Sequence, residues 1–142
     1  MKKFKILWFE DNIQNFKKII PNLESHLDKF YQKKLEYDYF DHYPKDFDIK
    51  LFEGIYSLAL IDLNLNNGQK GIEVISIIRS NGAYIDTLLY SNNPKELIVL
   101  TEGENYLEGV FRHATMHGIQ EKIIDVIDQV LYKEMMAIMR DA

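Results

Sequence analysis

The apolar residues of this chain fall into short blocks whose spacing alternates between that of a strand and that of a helix. Residues 4–9 form an apolar run that reads as a first strand. Ile13, Phe16, Ile19, Ile20, Leu23, Leu27 and Phe30 then recur at helical spacing. Pro21 lies inside that helix, where a proline kinks the helix or restarts it. Residues 35–40 alternate as a second strand, and residues 45–53 predict a short helix stopped at Gly54. Residues 57–61 make a continuous run of the kind that marks a central strand covered on both faces. Asn66-Asn67-Gly68 is a turn signal. Ile72, Val74, Ile75, Ile77 and Ile78 predict a helix closed by Asn81-Gly82. A fourth strand follows over 85–90, then a fourth helix over 94–100 with Pro94 in its first turn. Residues 109–112 read as a short fifth strand. The last helix runs from about 118 to 139, with Ile119, Ile123, Ile124, Ile127, Val130 and Leu131 inward.

Strands alternating with helices in this way predict an α/β fold, a doubly wound five-stranded parallel sheet with helices on both faces. A chain of 142 residues with 46% hydrophobic and 13% aromatic content can bury a real core, and it reads as one domain over 1–142. The net charge of -5 and the absence of a basic run exclude a general nucleic-acid binder. The absence of cysteine excludes a disulfide scaffold and a thiolate metal site. No apolar stretch approaches the roughly 18 residues of a membrane span. The Met1-Lys2-Lys3 start leads into an apolar run that stops at Glu10, unlike a signal peptide. A soluble, cytoplasmic protein without membrane contact is expected. His26, His42 and His117 show no partner in the sequence and are expected to be solvated. Met135, Met136 and Met139, at the end of the last helix, either cover the core or pack on a partner.

In an open parallel sheet, ligands bind at the carboxyl ends of the strands. The first predicted strand ends in Glu10-Asp11, the third in Asp62, the fourth in Ser91 and the fifth in Arg112-His113. Three of these residues are carboxylates. Clustered carboxylates raise one another's pKa unless a cation intervenes. A hard divalent ion answers this, and Mg2+ keeps enough waters to leave room for a phosphate. A hydroxyl and a cation on the other sides would complete a phosphoryl site, with one carboxylate as nucleophile. Asp62, at the end of the most apolar strand, is the best candidate. Each residue also has a plainer reading. Glu10 and Asp11 suit the N-terminus of a helix, Ser91 could cap the helix opening at Pro94, Asp62 could only cap its strand, and Arg112 and His113 could be surface residues.

Four segments carry a resemblance that covers about residues 3–132: Lys5-Ile6-Leu7-Trp8-Phe9-Glu10-Asp11-Asn12, Leu58-Ala59-Leu60-Ile61-Asp62-Leu63-Asn64-Leu65, Gly71-Ile72-Glu73-Val74-Ile75 and Leu88-Leu89-Tyr90-Ser91. The chain resembles the receiver domains of two-component signalling, the response-regulator or CheY-like superfamily. The resemblance implies a flavodoxin-like sheet of strand order 2-1-3-4-5. It also implies Mg2+ held by Glu10, Asp11, Asp62 and the backbone carbonyl of Asn64. Asp62 would accept a phosphoryl group from a histidine kinase or phosphotransfer protein, and Ser91 would hydrogen-bond it. Asn64 and Asn93 would influence hydrolysis of the acyl phosphate. A downstream protein target, and a homodimer through the fourth and fifth predicted helices, would complete the partner set. Such a domain is not an enzyme beyond its own phosphorylation and dephosphorylation.

The chain departs from the family's pattern at several positions. A Lys-Pro is expected after the fifth strand, and the segment here is Val110-Phe111-Arg112-His113-Ala114, with His113 favoured by register and Arg112 by charge. Asn92 replaces the small residue after the hydroxyl, Val110 stands in the place of the aromatic switch, and the loop after Asp62 has Asn66 in place of Pro. These departures keep a second class of function open: a pseudo-receiver that binds or dimerises without phosphorylation. A phosphatase with an aspartate nucleophile would want an acid two beyond it, where this chain has Asn64, and a nucleotide site would want a P-loop or G-x-G-x-x-G, which is missing.

Overall fold

The structure is a computed structural model, and it describes residues 2–52, 54–65, 68–81, 85–93, 95 and 111–141, without the side chains of Lys50 and of residues 111–114. The strands are β1 (Lys2–Phe9), β2 (Lys33–Phe40), β3 (Leu58–Asp62), β4 (Thr87–Ser91) and β5 (Phe111–Thr115). The helices are α1 (Ile20–Tyr31), α2 (Gly71–Ser80) and α3 (Ile119–Asp141). The protein is α/β, with an all-parallel sheet in which β2, β1, β3 and β4 lie side by side in that order. Phe111–Thr115 runs parallel along the far side of β4.

Alternation along the strands divides the core in two. Phe4, Ile6, Trp8, Leu58, Leu60, Leu88 and Tyr90 face α1 and α3. Leu7, Phe9, Ala59, Ile61 and Leu89 face α2 and the segment around Tyr43, Ile49 and Tyr56. Both faces of β3 are therefore buried, as its unbroken apolar run requires. Among the described residues no helix is long and apolar enough to cross a membrane.

Pro21 restarts a helix rather than kinking one. A 3-10 turn spans Ile13–Phe16, and α1 then opens with the proline in its first turn, where a missing N–H costs nothing. The helix expected over 45–53 shrinks to a 3-10 turn, Ile49–Phe52. That single turn suffices to bury Ile49 and stack Phe52 on Phe47, while Leu51 is left exposed, so there is no apolar stripe for a longer helix to bury. The fifth strand lies further along than expected, ending at Thr115 instead of Arg112. The expected helix over 94–100, Val110 and most of the turn at Asn66-Asn67 lie outside the described residues, as does Gly82. Two histidines expected to be solvated have partners. His26 Nε2 lies 2.7 Å from Asp128 Oδ1, which also accepts from the Tyr31 hydroxyl at 2.6 Å, tying α1 to α3. His42 Nδ1 pairs with the neighbouring Asp41 carboxylate.

Gly71 fixes how closely α2 meets the sheet. A Cβ there would stand 2.5 Å from the Asp62 carbonyl oxygen and 2.7 Å from Leu89 Cδ1. Its N–H donates to the Leu63 carbonyl at 2.7 Å, so the start of α2 is pinned to the chain just beyond Asp62.

Candidate functional site

The carboxyl ends of β1, β3 and β4 surround a cleft of about 250 Å3 lined by Glu10, Asp11, Asn15, Asp62, Asn64, Ser91, Asn92, Asn93 and Met116. Glu10 follows β1 directly, and its N–H donates to the Phe40 carbonyl at the end of β2, which seats it on the sheet. Asp62 is the last residue of β3, and Ser91 is the last residue of β4. One carboxylate oxygen from each of Glu10, Asp11 and Asp62 can be chosen so that all three lie within 4.8 Å of one another.

The three acids sit in different environments. Glu10 is 3% exposed, Asp62 is half-buried and Asp11 is exposed. Glu10 Oε2 is buried with no hydrogen-bond partner, a costly state for a polar atom that nothing satisfies. Burial, then a hydrogen bond with Asp62, then the charges of Asp62 and Asp11 push the Glu10 carboxyl up to about 9. Burial also raises Asp62, against hydrogen bonds from Glu10 and from the Asn64 backbone that lower it. Without a cation, Glu10 therefore holds a proton and offers it to Asp62. Asp62 Oδ1 accepts from the Asn64 N–H at 3.1 Å, an Asx-type contact that orients the carboxylate.

Ser91 is buried, and its Oγ accepts from the Asn93 N–H at 3.0 Å. With a lone pair used in this way, the hydroxyl proton is free to donate into the cleft. Asn64 is held in turn: it forms a bridge with Lys70 at the mouth of α2, and the Lys70 ammonium donates to its side-chain oxygen. Asn92 is exposed at the rim.

The residues expected at the strand ends do not all arrive. Glu10, Asp11, Asp62, Asn64 and Ser91 line one cleft, as does Asn93. Arg112 and His113 have their backbone inside β5, paired with Leu88 and Leu89, whereas Ser91 pairs with Thr115. Met116 is the lining residue that follows β5, and its N–H donates to the Ser91 carbonyl at 3.0 Å. The side chains of Arg112 and His113 lie outside the description.

Sequence reasoning passed over Asn15, Trp8 and Tyr90. Asn15 sits four residues after Asp11 in the 3-10 turn and lines the cleft. Trp8 and Tyr90 lie on the α1–α3 face directly beneath it, and the Trp8 Nε1 donates to the Tyr90 hydroxyl at 2.9 Å. The signal was there in the alternation: two aromatic residues with polar tips stand two places before Glu10 and one before Ser91, on a face that Phe4, Ile6 and Leu88 share.

No family model matches the sequence, and no curated protein matches it. A solved structure, titled as a yeast Spc42 trimeric coiled coil (amino acids 181–211) fused to another structure, is similar at a TM-score of 0.63. It is 14% identical, with 99% of this chain and 83% of that chain covered. At this identity the likeness is one of fold alone.

Proposed function

We propose that this chain is a receiver domain that accepts a phosphoryl group on Asp62 from a phosphohistidine of a kinase or phosphotransfer protein. The observation that carries the reading is the buried, unpartnered Oε2 of Glu10 facing a carboxylate at the end of the central strand. In this reading the sheet is the five-stranded, flavodoxin-like arrangement of order 2-1-3-4-5, which the pairing of Phe111–Thr115 with β4 supports. The protein acts in the cytoplasm.

The donor set fits a hard divalent cation such as Mg2+: three carboxylates, an adjacent backbone carbonyl at Asn64 and room for water. Two oxygens bound to one Mg2+ stand at most about 4.2 Å apart, close to the present spacing. Glu10, Asp11, Asp62 and Asn64 would hold the ion, which would neutralise charge on the carboxylates and on an incoming phosphoryl group. Loss of the Glu10 proton accompanies that change. An Asp62 oxygen then attacks phosphorus, the phosphorus–nitrogen bond breaks, and the imidazole leaves as its own neutral base once protonated. The Ser91 hydroxyl, whose oxygen accepts from the Asn93 N–H, would donate its proton to a phosphoryl oxygen. Arg112 or His113 is left to supply the remaining positive charge. Drawing these groups inward would shift the surface around the predicted fourth helix, the fifth strand and α3 toward a downstream partner.

Thermal melting with Mg2+ and beryllofluoride, an aspartyl-phosphate mimic, tests the proposal. A ligand at about 100 times its Kd adds about 2.7 kcal/mol, on the order of 5–10 °C for a chain of this size. The wild type is expected to show such a rise and Asp62→Ala none. No rise in the wild type sinks phosphorylation.

A second reading, a docking or dimerising module that does not use phosphorylation, draws on the tail of α3. Tyr132, Met135, Ile138 and Met139 are all exposed there, beside a groove shared with Tyr31 and Leu131.

A further inference from the structure

We infer that the outer edge of β2 is an interface, where β2 of a second copy of this chain pairs antiparallel to make one continuous sheet across two molecules. The inference is independent of the chemistry proposed for the cleft. Among the described residues β2 has a single strand neighbour, β1, so its other side is a sheet edge. At eight residues it is longer than β3, β4 and β5, which have five each. A long edge is a template for pairing, and folds ordinarily shorten, bulge or cover it.

Backbone geometry fixes which groups this edge offers. The Glu10 N–H donates to the Phe40 carbonyl, so the polar backbone groups of Phe40 point toward β1. Along a strand these groups alternate in side. Those of Lys33, Leu35, Tyr37 and Tyr39 therefore point outward, and among the described residues nothing hydrogen-bonds to them. Leu35 and Tyr37 carry their side chains on the α1 face, Leu35 in the core there and Tyr37 in ring contact with Trp8. Lys34, Glu36 and Asp38 lie on the other face, where Glu36 and Asp38 meet Lys3 and Lys5 of β1 at 3.2 and 3.3 Å. Lys34 is exposed and pairs with no carboxylate among the described residues.

This order of charges selects the occupant and its register. Two identical copies close on each other about a two-fold axis, which sets the strands antiparallel and keeps each face with its like. Outward residues must then stand opposite outward residues. With Leu35 opposite Leu35 of the second copy, Lys34 meets Glu36 of that copy at two related places, and Lys33 meets Tyr37. Sliding by one pair sets Glu36 against Glu36 in one direction and Lys34 against Lys34 in the other. A further slide sets Glu36 against Asp38. Like charges directly opposite destabilise a strand pair, whereas unlike ones stabilise it. The first register therefore wins, with about six backbone hydrogen bonds across the new seam. An edge of another protein without this charge order meets unmatched lysines, a guard against indiscriminate pairing.

Sedimentation equilibrium of the whole chain tests this. The wild type is expected to pass from monomer to dimer as concentration rises. Lys34→Glu sets acid against Glu36 of the other copy at two places, and is expected to weaken the dimer about tenfold. Glu36→Lys sets lysine against lysine and is expected to weaken it as much. An equimolar mixture of these two variants restores unlike charges at both places and is expected to regain the wild-type affinity. Tyr37→Pro removes an outward N–H at two places without touching a bond to β1, and is expected to weaken the dimer roughly thirtyfold. Circular dichroism checks that each variant folds, and should Tyr37→Pro not fold, the mixing experiment decides alone. A wild type that stays monomeric to millimolar concentration overturns the proposal. So does a dimer that none of the variants weakens, which belongs to another face, and so does a mixture as weak as each charge variant by itself.

Discussion

The acidic cleft and the tail of α3 depart from ordinary folding rules in opposite ways. The cleft buries a carboxylate oxygen without a partner, among two more acids. The tail leaves apolar side chains in water, with Ile138 70% and Tyr132 60% exposed. They also differ in what stands behind them. The cleft rests on three strand ends, on Gly71 packed against the Asp62 backbone, and on the Trp8–Phe16–Tyr90 wedge. The buried residues of α3 end at Leu131, so beyond that point the helix adds nothing to the core. An electrostatic cost held on so closely packed a support is what the proposed ligand site would require, whereas an apolar face without such support records only that the fold does not need it.

The comparison is broken most severely at the support of the cleft. Gly71→Ala puts a methyl group 2.5 Å from a backbone oxygen and under 3 Å from the fully buried side chains of Leu89 and Ile61. Overpacking of this kind costs about 3 kcal/mol. The expected outcome is a lower urea midpoint with unchanged slope, together with weaker Mg2+ binding, because α2 must retreat from the Asp62 loop. A stability equal to wild type would show that the seat of the cleft is softer than its packing implies.

How much of this was legible in the sequence depends on whether local pattern or distant packing decided it. The alternation placed β1, β2, β3 and β4 within two or three residues of their observed bounds, because period-two patterning and a doubly buried central strand leave a direct signature. Glu10, Asp62 and Ser91 followed from one topological rule, that side chains ending parallel strands meet at one edge. The helix over 45–53 was misjudged because Phe47, Ile49 and Phe52 are recruited by an aromatic cluster with Tyr43 and Tyr56, a tertiary arrangement that no short-range spacing reports. The end of the fifth strand, expected at Arg112-His113, falls at Thr115 because a short strand's end is set by the register of its neighbour β4. Tyr90 and Asp128 acquire their roles from partners 82 and 97 or more residues away, and distance in sequence hides such pairs.

A smaller effect sharpens the electrostatic side. Glu10 is raised in the fold from an ordinary 4.5 to about 9, so between those values the folded chain binds more proton than the unfolded one. Stability of the cation-free protein must then fall as pH rises through that window, by at most about 1.4 kcal/mol per pH unit for one proton. Asp62 is shifted in the same direction and adds to the trend. Glu10→Gln removes the group and is expected to flatten the dependence while abolishing most of the response to Mg2+. Saturating Mg2+ is expected to flatten it in the wild type, since the cation takes the place of the proton. Urea titrations at pH 6, 7 and 8, with and without Mg2+, measure both, and a stability that rises with pH in the cation-free wild type contradicts the environment assigned to Glu10.

The smallest effect belongs to the tail. Met135→Lys and Ile138→Lys replace exposed apolar groups on a helix whose core contacts have already ended, so each is expected to change stability by less than about 0.5 kcal/mol. Lysine is as good a helix former as methionine and better than isoleucine, so propensity does not oppose the change. Both variants are therefore expected to keep the wild-type urea midpoint and the wild-type rise in melting temperature with Mg2+ and beryllofluoride. Measuring the two together separates the regions: a cleft that responds normally above an altered tail means that they are energetically independent. A loss above about 1 kcal/mol in either variant would mean that the apolar face is covered, and its exposure would no longer set it apart from the core.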